Sequence, residues 1–188
     1  MKTLAALFAV FLFASLSFSQ ERSNDEINRR IRSSGVEHLN VSFDASSNMS
    51  KLMAVAENFS TRDAEGAGVQ AINFAMGFFY PGQSLKRSPE SVHFSFWVLT
   101  KKPRFAENHH LTVEMNGRTL DLGEARYAAK PAQNLEYLNF DISRNDLAAI
   151  GSAGRVTFRV GTRTFAASPS QLKLIATTTR LADISQTY

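Results

Sequence analysis

The sequence predicts an all-β, mainly antiparallel protein, a β-sandwich of about eight to nine short strands with two helices. Three observations support this fold class. Apolar and polar residues alternate along several short segments, as in strands with one buried face. Turn-forming dipeptides separate these segments. The chain of 188 residues is 44% hydrophobic and 20% charged, which is the composition of a globular domain.

The clearest strands lie in the middle of the chain. Residues 92–98 alternate Val and Phe with Ser, His and Trp, and residues 72–80 follow the same period of two. The less apolar side of the 72–80 segment carries Ala75 and Gly77, so we expect a central strand with something packed closely over that side. Pro-Gly at 81–82 ends this strand.

A first hairpin is predicted around the dipeptide Asn-Gly at 116–117, which favours a type I′ turn. Folding the chain about this turn pairs Val113 with Leu120 and Leu111 with Leu122. The apolar residues then meet on one face of the hairpin, whereas a shift of one residue would separate them.

A second hairpin is predicted around Gly-Thr at 161–162, with Phe158 opposite Phe165. Further strands are expected at 39–43, 52–59 and 135–142.

Two helices complete the predicted fold. A short helix is expected near 143–150, because Ser143 and Asp146 form a capping pair and Gly151 can end the helix. A C-terminal helix is expected near 169–182, after the N-terminal capping motif Ser-Pro-Ser-Gln.

The chain divides into three predicted parts: a signal peptide at 1–19, a polar flexible leader at 20–35 and a single β-sandwich domain at 36–188. The first part has a positive start, an apolar stretch and small residues before a cleavage site between Ser19 and Gln20. Its apolar stretch is shorter than the ~20 residues that a membrane-spanning helix needs.

The leader is expected to be flexible because its only large apolar residues are Ile27 and Ile31. Their spacing fits one side of a helix, but two residues offer too little apolar surface to stabilise a helix alone.

The cysteine count and the charge limit the possible functions. No Cys is present, which excludes disulfides, thiolate metal sites and cysteine nucleophiles. Since small secreted animal domains are usually rich in disulfides, an exported bacterial protein, periplasmic or extracellular, is favoured. With 21 Lys and Arg against 17 Asp and Glu, the positive electrostatic field of the protein is weak, so we expect no nucleic-acid partner. No cofactor is predicted.

A basic loop and a basic strand face are the candidate binding residues. Lys101, Lys102 and Arg104 follow the 92–98 strand, and Arg155 and Arg159 share the outward face of a later strand. If they meet at one end of the sandwich, they could bind a polysaccharide, an anionic membrane surface or an envelope protein. They could equally serve solubility and protect strand edges.

No catalytic or metal-binding residue is predicted. The adjacent His109 and His110 should point to opposite faces of a strand and so cannot hold one ion together. The sequence has no G-x-S-x-G motif, and its carboxylates are scattered.

These observations predict a small exported protein of the cell envelope with a binding or structural role and no catalytic activity. One alternative is a hydrolase of envelope carbohydrate whose carboxylates and histidines converge only in the folded protein. Another is a small outer-membrane β-barrel. A His–carboxylate cluster beneath the loop 101–110 would favour the hydrolase, whereas exposed aromatic residues near Trp97 would favour carbohydrate binding.

Overall fold

The computed structural model describes residues 21–185, which form twelve strands in three sheets together with four α-helices. All strand pairs are antiparallel, and the fold is a β-sandwich-like all-β fold, which confirms the predicted fold class. The signal peptide predicted at 1–19, and its cleavage site between Ser19 and Gln20, lie outside the described residues. No helix within residues 21–185 is long and apolar enough to cross a membrane.

The strands, in chain order, are β1 Arg22–Ser23, β2 Leu39–Asp44, β3 Met49–Val55, β4 Ala71–Pro81, β5 Ser84–Leu85, β6 Ser91–Leu99, β7 His110–Met115, β8 Arg118–Glu124, β9 Arg126–Lys130, β10 Leu135–Ser143, β11 Val156–Val160 and β12 Arg163–Ala166. The helices are α1 Asn24–Ser34, α2 Thr61–Ala67, α3 Arg144–Ser152 and α4 Pro169–Ala182, and a 3-10 turn covers Pro131–Gln133. The predicted strand at 52–59 is shifted, since β3 begins earlier and ends at Val55.

The main sheet has six strands in the order β2-β3-β4-β6-β10-β9. A second sheet has the order β12-β11-β7-β8, and β1 pairs with β5. The alternation predicted for 72–80 and 92–98 is present, and β4 lies in the interior of the main sheet as expected.

Phenylalanine side chains join the two larger sheets. Phe96 of the main sheet has its ring centroid 5.6 Å from that of Phe158 in the second sheet, and Phe74 lies 5.8 Å from Phe158. Phe59, in the segment after β3, contacts rings of both sheets. These side chains are at most 5% exposed. We call this group the phenylalanine core: Phe59, Phe74, Phe94, Phe96, Phe158 and Phe165.

The hairpin at 116–117 has the predicted type of turn, with a positive φ at both turn residues, and it pairs Val113 with Leu120. The predicted pairing of Leu111 with Leu122 is wrong. A bulge lies between Leu111 and Thr112, so that Leu111 lies opposite Gly123, whose φ is +81°. Gly123 allows this extra residue in β8 because glycine adopts positive φ without steric cost.

The second hairpin pairs Phe158 with Phe165 as predicted. The predicted helices also form: Ser143 caps α3 and a complete capping box begins α4. Gly151 does not end α3, contrary to expectation. It lies inside the helix, where a Cβ would stand 2.7 Å from the backbone nitrogen of Ala176 in α4, so glycine allows the two helices to touch.

The polar segment 20–35, expected to be a flexible leader, contains the helix α1 instead. Ile27 is fully buried and Ile31 is 8% exposed in the same core cluster as the sheets. The main sheet supplies the apolar surface that two isoleucines cannot provide alone. Asn24 fixes the start of α1, because its side chain bonds the hydroxyls of Tyr80 at 2.7 Å and Ser50 at 2.8 Å.

Replacing Ile27 by alanine should therefore destabilise the whole domain. We expect the free energy of unfolding in urea to fall by about 2–5 kcal/mol, the usual cost of truncating a buried isoleucine. The control is Arg29→Ala on the exposed side of α1, which should change stability by less than about 0.5 kcal/mol. Equal effects of the two substitutions would contradict the packed position of α1.

Candidate functional site

The most distinctive surface is the face of the main sheet that points away from the phenylalanine core. We call it the outer face. Among residues 21–185 the exposed large apolar side chains are Phe79, Trp97 and Leu99, at 44%, 38% and 37% exposure. All three lie at outward positions of β4 and β6, between residues whose side chains enter the core. Trp97 and Leu99 lie together on β6, whereas Phe79 lies about 20 Å further along β4. The apolar surface around Trp97 is therefore the candidate contact surface.

Trp97 and Tyr137 form the centre of this surface. They are cross-strand partners on β6 and β10, with ring centroids 6.3 Å apart and planes at 75°. Leu99 and Leu135, the next partners along the same strands, extend the apolar area. We call these four residues the aromatic patch. Lys130 of β9 places its ammonium 5.4 Å from the Tyr137 ring centroid.

Polar side chains adjoin the rings on the outer face. Asn73 lies opposite Trp97 on β4, and its Oδ1 atom is buried without a hydrogen-bond partner among the described residues. Asn139, two residues beyond Tyr137, donates to the carbonyl of Arg126 at 3.1 Å. A buried acceptor without a hydrogen bond is energetically unfavourable. A hydrogen-bond donor of a bound ligand could satisfy the carbonyl oxygen of Asn73.

Between the aromatic patch and Phe79 the outer face is lined by small residues. Ala75 and Ser95 are 3% exposed. A Cβ at Gly77 would lie 2.5 Å from the Met53 sulfur and 3.2 Å from the Phe79 ring. The close packing that the sequence predicted over Ala75 and Gly77 therefore involves long side chains of the same sheet face.

The basic loop reaches the edge of the aromatic patch. Lys101 borders a small hollow together with Ala129 and Leu135, and Leu135 belongs to the aromatic patch. Lys102 is exposed beside it. Arg104 points elsewhere, with its Nε donating to the carbonyl of Gly68 at 3.2 Å.

Arg159 lies on β11 of the second sheet, and Arg155 directly precedes this strand. Arg159 forms an ion pair with Glu114 at 2.7 Å. Arg155 precedes the end of β11 that pairs with Met115, whereas the loop containing Lys101 leads into the opposite end of β7. The structure thus places part of the predicted basic set beside the aromatic patch, and it does not bring the five residues together.

A buried carboxylate holds the basic loop. Glu136 of β10 is only 1% exposed. Its carboxylate accepts hydrogen bonds from three donors: the backbone amide of Arg104 at 2.9 Å, the backbone amide of Phe105 at 3.1 Å and the Tyr127 hydroxyl at 2.9 Å. These bonds satisfy a charge that would otherwise be costly to bury. Burial, and then the bond to Glu136, raise the pKa of Tyr127 to about 12.

The histidines converge more than the sequence predicted. His110 lies 2.7 Å from Asp121 and 3.0 Å from Glu124, and His109 also approaches Glu124, at 3.8 Å. Both histidines thus approach Glu124, which lies opposite His110 in the register of β7 and β8. Within residues 21–185 no group of His, Asp and Glu has the geometry to hold a metal ion.

This cluster is a poor site for hydrolysis. The side chains of Asp121 and Glu124 are 68% and 64% exposed, whereas catalytic carboxylates work in sites from which water is largely excluded. The outer face, with exposed rings beside polar groups, has the chemistry of a binding surface.

Comparison of the chain with protein-family models, curated proteins and solved structures gave no match. The aromatic patch must therefore be interpreted from its own geometry. Its sequence signal is the position of Trp97 on the polar side of an alternating strand, and Tyr137 has the same position in its strand.

Replacing Glu136 by glutamine should loosen the basic loop, because an amide cannot accept all three donors. We expect a loss of about 2 kcal/mol in the free energy of unfolding at pH 7. The Tyr127 pKa should fall from about 12 towards its ordinary value of 10.0, as measured by ultraviolet titration.

The sign of the pH effect follows from the raised Tyr127 pKa. The protonated phenol stabilises the folded state below pH 10, and this contribution is lost as the pH rises through about 12. Glu107→Gln makes the same chemical change at an exposed position of the same loop and serves as the control. Equal stability of the two variants would show that the Glu136 bonds do not hold the loop.

Proposed function

We propose that this is a non-catalytic exported protein of the cell envelope that binds polysaccharide on the outer face of its main sheet. The observation that carries this proposal is the cross-strand pair of the exposed Trp97 and the half-buried Tyr137, beside the unsatisfied carbonyl oxygen of Asn73.

The chemistry of the aromatic patch fits a sugar better than a wholly apolar ligand. A pyranose ring presents C–H groups that pack on an aromatic face, and hydroxyls at its rim that donate and accept hydrogen bonds. Trp and Tyr are suited to contacts that are partly apolar and partly hydrogen-bonded, because they combine an apolar ring with a polar atom. The side-chain oxygen of Asn73 is an acceptor that one sugar hydroxyl can satisfy.

The charges next to the aromatic patch favour an acidic polysaccharide. Lys130 stands over the Tyr137 ring, and Lys101 borders the hollow beside Leu135. Glu136 is buried, and Asp141, the carboxylate at an outward position of β10, is paired with Arg126. Carboxylate groups along a sugar chain would therefore meet a positive rim.

The binding test uses the one Trp of the chain as its probe, since Trp97 lies in the proposed site. A panel of polygalacturonate, alginate and hyaluronate should change the Trp97 fluorescence on titration, and added salt should weaken the effect. Tyr137→Ala keeps the probe and should raise Kd at least about tenfold, which corresponds to ~1.4 kcal/mol.

Phe79→Ala is the matched control, because it removes an exposed ring from the same face about 20 Å along β4 from Asn73, at ~3.3 Å per residue. Its Kd should stay within about twofold of the original protein. Absence of binding to every polysaccharide, or equal weakening by both substitutions, would reject the aromatic patch as the site.

Export is tested separately by expressing the full chain in a bacterium and sequencing the N-terminus of the mature product. We expect the product in the periplasm or medium to begin at Gln20, as the cleavage pattern predicts. A cytoplasmic product that keeps Met1 would contradict the proposed localisation without affecting the binding proposal.

A further inference from the structure

A concave surface lies between α1 and α4, away from the outer face. It has a volume of about 470 Å³, and we call it the helix cleft. Because Asn24 binds Tyr80 on the core side of the main sheet, α1 lies on the side opposite the aromatic patch. The lining residues are Arg30, Ser33 and Ser34 from α1, and Lys173, Thr177, Arg180 and Leu181 from α4.

The lining of the helix cleft is positively charged. Among the described residues that line it are three cations and no carboxylate. Arg30 is engaged by Glu26 at 2.6 Å. Lys173 and Arg180 have no carboxylate within 4.0 Å among the described residues, and both are exposed. Within residues 21–185, these two cations of α4 therefore have no carboxylate at ion-pair distance. Arg180 also borders an adjacent hollow lined by Asp183, but the Asp183 carboxylate pairs with Arg144 at 2.8 Å.

Carbonyl groups at the helix ends do not cancel this charge. A helix C-terminus presents partial negative charge through its free carbonyls. In α1 the carbonyls of Arg30 and Ile31 accept from the hydroxyls of Ser33 and Ser34, at 3.0 and 2.7 Å.

The same holds at the end of α4. The Arg22 guanidinium, only 3% exposed, donates to the carbonyls of Arg180 and Leu181 at 3.3 and 3.1 Å. Two carbonyls near the C-terminus of each helix are thus bonded within the protein.

Two carboxylates line the adjoining hollow: Glu37, whose side chain is 91% exposed, and Glu57. Glu57 lies beyond Lys173, in the hollow that continues from the helix cleft. It accepts hydrogen bonds from Ser168 and Ser170 at the start of α4, and these bonds lower its pKa. The Glu57 carboxylate therefore interacts with the N-terminus of α4.

We propose that the helix cleft binds the phosphate group of a small ligand or of a lipid headgroup. A guanidinium donates to two phosphate oxygens at once and an ammonium adds a point charge, so Arg180 and Lys173 together match a phosphate. The volume is within the range of about 300–1,000 Å³ of ligand sites. It exceeds one phosphate and leaves room for an organic part against Leu181 and Thr177.

The test measures binding to the full-length chain by calorimetry with two kinds of probe. Inorganic phosphate and glycerol 3-phosphate represent a free ligand. Vesicles of phosphatidylglycerol in phosphatidylcholine, against pure phosphatidylcholine, represent a membrane. The double variant Lys173→Ala/Arg180→Ala should raise Kd at least about tenfold, since it removes two charge-assisted contacts.

The matched control is Arg62→Ala/Arg118→Ala, which removes the same charge from two exposed residues that do not line the helix cleft. It should leave Kd within about twofold. Melting curves of both double variants verify the fold, and the exposed positions of all four residues predict little change.

Binding of the free phosphates that only the cleft variant loses supports a soluble ligand. Binding of anionic vesicles alone, again lost only in the cleft variant, supports a headgroup. No binding to any probe, or equal loss in both double variants, overturns the proposal. Trp97→Ala should keep phosphate binding, so failure at the aromatic patch and failure at the helix cleft are distinguishable.

Discussion

The packing of phenylalanine rings between two sheets is the constraint on which the rest of the structure depends. The chain has no Cys, so burial of apolar surface must stabilise the fold without disulfides. Phe96 and Phe158 join the sheets at a ring distance of 5.6 Å, and Phe59 contacts rings of both. Because successive side chains of a strand point to opposite sides, burying Phe96 obliges its neighbour Trp97 to face outward.

Glu136 connects the core to the surface. It lies on the inner side of β10, directly before Tyr137 on the outer side, and its carboxylate holds the backbone amides of Arg104 and Phe105. The loop that carries Lys101 is thereby fixed against the same strand that carries the aromatic patch. One buried charge positions both the ring and the basic rim of the proposed polysaccharide site.

The two proposed sites differ in how the fold builds them. The aromatic patch is flat, since it consists of residues on adjacent strands. A flat surface suits an extended polysaccharide chain that lies across the strands. The helix cleft is concave, because α1 and α4 pack on the other side of the main sheet, and this suits a compact anionic group. A protein with both could hold a polysaccharide on one side and a phosphorylated ligand on the other.

The sequence alone determined the features that depend on neighbouring residues. The period of two located β4 and β6, the Asn-Gly dipeptide set one hairpin, and Ser143 and Ser168 marked the starts of two helices. Each of these depends on local backbone geometry or on hydrogen bonds within one turn, so a short window of sequence contains the information.

The tertiary structure alone decided what depends on distant partners. The helix α1 forms because the main sheet covers Ile27, and Gly151 stays helical because it touches α4. Trp97 and Tyr137 meet only through the register of β6 and β10, and Lys173 faces Arg30 only through the packing of two helices far apart in sequence. Register and helix packing are set by the burial of the whole core, which no single segment of sequence specifies.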